Sequence, residues 1–251
     1  MNPFPMRTPI ASLLLLLTGL TGLGAADQKI EETARRLAKS HADAVVTVRA
    51  TVALTMAAGD APSQSRDQSV EEFGTVVTAQ GLVMISASSI DPATAMDGRT
   101  VNMRGAQVKL AVTSEVKEAR IILADGTEIP ATVVYKDRDL NLAFLAPDAG
   151  AEEAKDAKFL PIDTSEEQAL GVLDEVVVLS RLDKSLGRAA AVECDYVRAV
   201  IAKPRRFLAI HLPTTGLPVF ALGGRFAGFT TVRFGGAGEA EGIAAAPVVL
   251  P

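Results

Sequence analysis

Residues 119–147 read ARIILADGTEIPATVVYKDRDLNLAFLAP. Apolar-rich runs at 119–123 and 128–135 flank the pair Asp125-Gly126. Asp-Gly between such runs is the strongest short-range hairpin signal, because a tight turn between twisted strands needs positive φ and glycine adopts it freely. The triplet Asp137, Arg138 and Asp139 reads as a turn, and 140–145 as another strand. The stretch therefore predicts an antiparallel sheet built through short connections.

Working outward, the same period-two pattern recurs. Strands are predicted at 44–52, at 73–78 and 82–85 around Ala79-Gln80-Gly81, and then at 175–179, 189–200, 207–211, 219–222, 226–233 and 243–249. Residues 57–72 and 91–116 are polar and read as long loops, the second with a strand near 108–112. A helix is predicted only near the start. Asp27 is placed to cap it, Ile30, Ala34, Leu37 and Ala38 share one face, and Glu31, Glu32, Arg35, Arg36 and Lys39 fill the other. Residues 148–158 are charged, small and aperiodic, the signature of a linker. Many short strands in two halves predict an all-β protein, two six-stranded antiparallel β-barrels with a short N-terminal helix. The expected divisions are helix 27–40, N-terminal barrel 41–147, linker 148–158, C-terminal barrel 159–235 and tail 236–251. The tail's Gly- and Ala-rich part reads as flexible, with Val248 to Leu250 pairing back.

Composition narrows the function. The chain of 251 residues carries a net charge of −5, which supplies no basic footprint for nucleic acid. One cysteine forms no intramolecular disulfide and no Cys-based zinc site, and two histidines, His41 and His211, leave little for metal or imidazole chemistry. No cofactor and no metal is expected. Residues 1–26 read as a secretory signal: Arg7 is the positive region, 10–20 the apolar run, and Gly24-Ala25-Ala26 the small residues before cleavage. The run is short of the ~20 residues of a comfortable span, so no stable membrane span remains after cleavage, and the location expected is periplasmic or secreted. Cys194 alternates with Val192 and Tyr196 and is expected to be a buried structural thiol.

Three segments, in order, resemble the trypsin-like serine proteases, most closely the bacterial high-temperature-requirement (HtrA/Deg) branch. They are GLVMISASSI at 81–90, IILADGTEIPA at 121–131 followed by NLAFL at 141–145, and TGLPVF at 215–220 followed by GRFAGF at 224–229. The resemblance covers roughly residues 40–232. It implies two perpendicular barrels, a cleft between them holding a Ser–His–Asp triad, and cleavage of unfolded polypeptide in the cell envelope. It also implies a peptide-binding C-terminal domain, which is not expected in the short stretch after Val232.

The chain departs from that pattern where the chemistry sits. A serine hydroxyl needs a neighbouring base, and the base needs an orienting acceptor. The position of the family's histidine is Ser88, that of its aspartate Asn141, and that of its nucleophile Thr215. The glycine that supplies an oxyanion N–H is replaced by Pro213, which has none, and one such donor is worth about 10²–10³ in rate. Leu217 stands for the second glycine of the motif.

Substitutes are scarce. His211 belongs to the wrong barrel and reads as an ordinary loop or strand-end histidine, and His41 reads as a charged cap at a helix end. Asp139 shares a strand side with Asn141 but has no imidazole to orient, so it reads as a solvated charge. Ser86, Ser88 and Ser89 read as hydroxyls satisfied by backbone, and Glu152-Glu153 as a solvated run. Arg181, Lys184, Arg188, Arg198, Lys203, Arg205 and Arg206 make the second half locally basic and read as solvated faces.

The expectation is a trypsin-like protease homologue without catalytic activity, a pseudo-protease, that binds a polypeptide or partner protein through its cleft or its loops 57–72 and 91–116. The rivals are an HtrA/Deg-type serine endopeptidase with weak or unconventional activity, and a structural envelope domain.

Overall fold

A computed structural model describes residues 23–59, 61–103, 105–165, 167–212, 214–234 and 245–251. The chain enters through helix α1 (Leu23–His41) and a 3₁₀ turn (Ala42–Ala44), which deliver it to the first strand. The helix starts before Asp27, so that residue lies inside it rather than capping it. Most of the expected signal lies outside the described residues. The expected apolar face of α1 is real: Ala34 and Leu37 are buried, and Thr33 donates its hydroxyl to the Leu222 carbonyl at 2.9 Å.

The first sheet contains β1 (Val45–Ala58), β2 (Gln64–Val76), β3 (Val83–Ser86), β4 (Thr100–Met103), β5 (Ala106–Ile122), β6 (Glu128–Asp137) and β7 (Leu142–Pro147). Two short helices, α2 (Ala87–Ile90) and α3 (Ala93–Met96), lie between β3 and β4. The strand order is β1-β2-β3-β7-β6-β5-β4, and β1 also pairs with β5. Six strands therefore close into a barrel, leaving β4 attached outside. Closure removes the sheet edges that would otherwise seek partners. Inward residues of period two fill the interior, among them Val46, Val48, Val52, Ile85, Ile121 and Leu145.

The predicted long loops are corrected here. Most of 57–72 and 91–116 is strand: β1, β2 and β5 continue past the barrel, with Met56 opposite both Gln64 and Val112. Leu54, Ala93 and Val112 form a small core of their own in this extension. The outer part of β2 has no apolar alternation because it is largely exposed, which is why its sequence reads as loop.

After α4 (Glu152–Lys155), within the expected linker, comes the second sheet: β8 (Glu175–Arg181), β9 (Ala190–Tyr196), β10 (Ala199–Ile201), β11 (Phe207–Ala209), β12 (Pro218–Ala221), β13 (Phe226–Phe234) and β14 (Ala245–Leu250). Its order is β10-β11-β14-β13-β12-β8-β9, with no ladder joining its two ends among the described residues. It is a seven-stranded half-barrel, whereas the first sheet closes completely. The outermost strands β9 and β10 are separated in the chain only by Val197 and Arg198, so the sheet curls until its ends meet through the backbone. Val248 to Leu250 lie in β14, between β13 and β11. The core of this half joins Val177, Leu179, Leu208, Leu217, Val219 and Phe220 to Leu37 of α1.

Buried polar groups seam the halves together. The Thr75 hydroxyl donates to the Gly216 carbonyl at 2.7 Å. Arg181, which the sequence suggested was solvated, is buried and reaches across: its Nε donates to the Val45 carbonyl at 2.6 Å and its Nη2 to the Ala42 carbonyl and the Asp43 carboxylate, each at 2.8 Å. Buried polar atoms must find partners, and here they find them in the opposite half.

Candidate functional site

Ser86 ends β3, the partner strand of β7, Ser88 lies in the α2 helix that follows, and the turn before β7 carries Asn141. Asn141 takes the left-handed backbone (φ 55°), which asparagine tolerates better than most residues. It is only 2 % exposed, yet its side chain is fully engaged. Its Oδ1 accepts the Ser88 backbone N–H at 2.8 Å, and its Nδ2 donates to Ser86 Oγ and to the Val232 carbonyl, both at 2.9 Å. Its carbonyl accepts from the Ala87 N–H at 3.0 Å and the Thr231 hydroxyl at 3.2 Å. Ser86 and Ser88 hydroxyls lie 3.2 Å apart. Ser88 and Asn141 are thus brought together by the backbone of one and the amide of the other, in a knot that also grips β13 of the second half.

Thr215 lies on the segment between β11 and β12. Pro213, the expected oxyanion position, lies outside the described residues. Gly216 explains how the segment is held: its φ is +78°, and a Cβ there would sit 2.3 Å from the Phe73 carbonyl oxygen of β2. Only glycine permits that approach. Among the described residues no hydrogen bond joins the Thr215 hydroxyl to Ser88, Asn141 or His211. His211 is exposed, and its backbone N–H donates to Asp195 Oδ2 at 2.5 Å.

A cavity of about 140 Å³ opens beside this segment, between the halves, lined by Thr47, Glu72, Phe73, Leu182, Lys184 and Thr214, with Glu71, Asp183 and Arg188 at its wall. Glu71 is held by Arg188 at 2.9 Å and by Arg49 at 3.4 Å, and Asp183 accepts the Ser185 N–H at 2.7 Å. Glu72 has no hydrogen-bonding or ion-pair partner among the described residues. Burial alone pushes its carboxyl above the ordinary glutamate range. Sequence gave no warning of Glu72, because part of the cavity wall beside it, Leu182, Lys184 and Thr214, comes from the second half.

Asp91 is a second carboxylate that sequence reasoning passed over. It is buried beside α3, bonded by Lys136 at 2.7 Å and by the Ser114 hydroxyl, with Arg138 at 3.7 Å. Burial pushes its pKa up, but the hydrogen bonds from Lys136 and Ser114 and the charges of Lys136 and Arg138 outweigh this, and the net direction is down.

The other candidates settle quietly. Asp139 is exposed in the 138–141 turn, and Glu152 pairs with Lys155. His41 lies against Phe220, with ring centroids 5.7 Å apart, and partial burial lowers its pKa, so it packs as a ring more than it caps as a charge. Cys194 is exposed, contrary to expectation, because β9 pairs only with β8 at the edge of the sheet. Burial of part of the side chain and the charges of Glu175 and Glu31 raise its thiol pKa. No group of acidic, His and Cys side chains is arranged for a metal among the described residues, and no described helix is long and apolar enough to cross a membrane.

A closed barrel and a curled half-barrel, joined by a polar seam with a cleft beside it, define the trypsin-like double-barrel protease fold. No protein-family model and no curated protein sequence matches the chain. Solved structures do. The HtrA-type protease AlgW, solved with a tripeptide, superposes with a TM-score of 0.51 at 16 % identity, covering 86 % of this chain and 59 % of its own. The apo protease domain of MamO from Magnetospirillum magneticum gives 0.48 at 16 % identity, covering 84 % of this chain and 93 % of its own. The fold is that of the HtrA-type proteases.

Proposed function

We propose that this chain is a secreted or periplasmic pseudo-protease that binds a polypeptide or partner protein in the cleft between its halves. The observation that carries this reading is the occupation of Asn141. At the position where the resemblance expects an acid to orient an imidazole, the side chain donates to Ser86 and Val232 and accepts from the Ser88 backbone. An amide carries no charge to stabilise an imidazolium, and Ser88 has no basic nitrogen. Thr215 therefore has no base from either residue. What the cleft offers instead is a cavity with mixed apolar and charged walls next to Thr214.

The test is hydrolysis of an unfolded, fluorophore-quenched protein by the chain and by Thr215→Ala. Absent turnover, with saturable binding of the unfolded protein, supports the proposal. Turnover lost in Thr215→Ala overturns it. One observation favours the rival hydrolase: Glu72, with a raised pKa, lines the same cavity as Thr214. That rival predicts turnover abolished by Glu72→Gln as well, with a pH profile set by a carboxyl above the ordinary range.

A further inference from the structure

The second half carries a surface that the cleft does not use. In the 171–174 turn Leu173 holds a left-handed backbone with φ 69°, and its side chain is 72 % exposed. For leucine this conformation is unfavourable, since its Cβ crowds the carbonyl, and glycine would sit there without cost. Val172 beside it is 56 % exposed. A strained backbone that displays two neighbouring aliphatic side chains to water is costly twice over, and such cost points to a use.

The surroundings are cationic. The Leu173 N–H donates to the Val197 carbonyl at 2.8 Å, which sets the turn between Tyr196 and Arg198. The Arg198 guanidinium lies 5.7 Å above the Tyr196 ring, and Tyr196 is itself 45 % exposed. The Arg206 guanidinium donates to the Leu170 carbonyl, which ties the β10–β11 loop to the same turn. That loop also bears Lys203 and Arg205, both exposed and without an ion pair among the described residues. The nearby acids are Asp174, which accepts the Gly171 N–H at 2.7 Å, Asp195, which accepts from the His211 N–H, and Glu175, opposite Tyr196 in the β8–β9 ladder. Asp174 and Asp195 are committed to backbone, and the four cations Arg198, Lys203, Arg205 and Arg206 outnumber the three acids.

We propose that Val172 and Leu173, together with Arg198, Lys203, Arg205 and Arg206 on the segments bonded to their turn, dock the protein onto an anionic lipid surface. Aliphatic side chains at the tip of a turn enter the boundary between headgroups and acyl chains, Tyr196 suits the interface, and the cations meet lipid phosphates. Exposed aliphatic side chains next to cations without ion pairs complement an anionic headgroup layer over an acyl interior, which selects a lipid surface over a protein partner. The chain as a whole is acidic, so this concentration of positive charge orients it on the membrane.

The sequence contains no tryptophan, so Val172→Trp in the chain from Asp27 onward carries a single reporter at the tip. Its emission is expected to move to shorter wavelength with vesicles of phosphatidylglycerol and phosphatidylcholine in equal parts, and to stay unchanged with phosphatidylcholine alone. The apolar run at 10–20 would partition into both vesicle types, so every variant starts at Asp27, the expected mature start. Adding Lys203→Glu or Arg205→Glu is expected to weaken binding about fivefold or more for each cation lost. Leu173→Gly separates structure from binding: it relieves the strained backbone and raises the unfolding midpoint, while vesicle affinity falls about tenfold with the lost aliphatic side chain. An unchanged emission with anionic vesicles, equal shifts with both vesicle types, or affinity that survives Leu173→Gly or the charge reversals overturns the proposal.

Discussion

Replacing Asn141 by Asp restores the residue type that the resemblance expects and is predicted to destabilise the protein. The change is nearly isosteric, and aspartate tolerates the left-handed backbone almost as well as asparagine, so hydrogen bonding decides the outcome. The Ser88 N–H keeps an acceptor, now charged and stronger. Ser86 can rotate its hydroxyl to donate. The Val232 carbonyl cannot adapt: the donor 2.9 Å away becomes an anionic oxygen, in a site where Asn141 is 2 % exposed. An unsatisfied buried acceptor and a desolvated charge, partly offset by the Ser88 bond, sum to a loss of about 3 kcal/mol at neutral pH.

The pH dependence gives the loss a signature. The protonated acid can donate to Val232 and relieve the clash, so the folded state raises the pKa of the new carboxyl above its unfolded value. Its contribution is then best below the unfolded pKa and worsens as pH rises through the folded one. Urea unfolding of the parent and variant at acid and neutral pH reads this directly. Equal stability at neutral pH, or a penalty that grows on acidification, would refute the account of the knot.

Arg181→Met is expected to cost about 3 kcal/mol in urea unfolding, because the Val45 and Ala42 carbonyls lose their donor while the exposed Asp43 contributes little. A loss under about 1 kcal/mol would show that water replaces the guanidinium. Asp91 has a lowered folded pKa, so its contribution is present above the unfolded value and is lost as pH falls through the folded one. Asp91→Asn should lower neutral stability by about 2 kcal/mol and reduce the steepness of acid unfolding; an unchanged acid transition would count against the Lys136 and Ser114 contacts. Gly216→Ala should lower the unfolding midpoint by the equivalent of about 2 kcal/mol or more, since the Phe73 carbonyl cannot retreat without moving β2. An unshifted midpoint would mean the segment carrying Thr215 is held elsewhere.

The strands that bury one face were legible one by one. The Asp125-Gly126 hairpin lies where its dipeptide demanded: Leu123 donates to the Thr127 carbonyl at 2.9 Å, and β6 pairs with β5 across it. The outer reach of β2 was not legible, because residues exposed on both faces leave no alternation to detect. The predicted single strand at 189–200 is two strands, β9 and β10, on opposite ends of one sheet. Nothing local in Val197 or Arg198 announces that jump; it follows from the curl of the sheet.

For the site, the sequence by itself determined which chemistries are scarce. It fixed an amide at 141, hydroxyls at 88 and 215 and a proline at 213, and side-chain identity sets what proton or charge each position can hold. Tertiary structure alone decided what those groups do. It joined Asn141 to Val232 across 91 positions, buried Arg181 against Val45 across 136, and set Glu72 in the lining of a cavity that Thr214 also lines. Hydrogen bonding and desolvation depend on which atoms are near in space, and in a sheet-built protein those atoms come from distant parts of the chain.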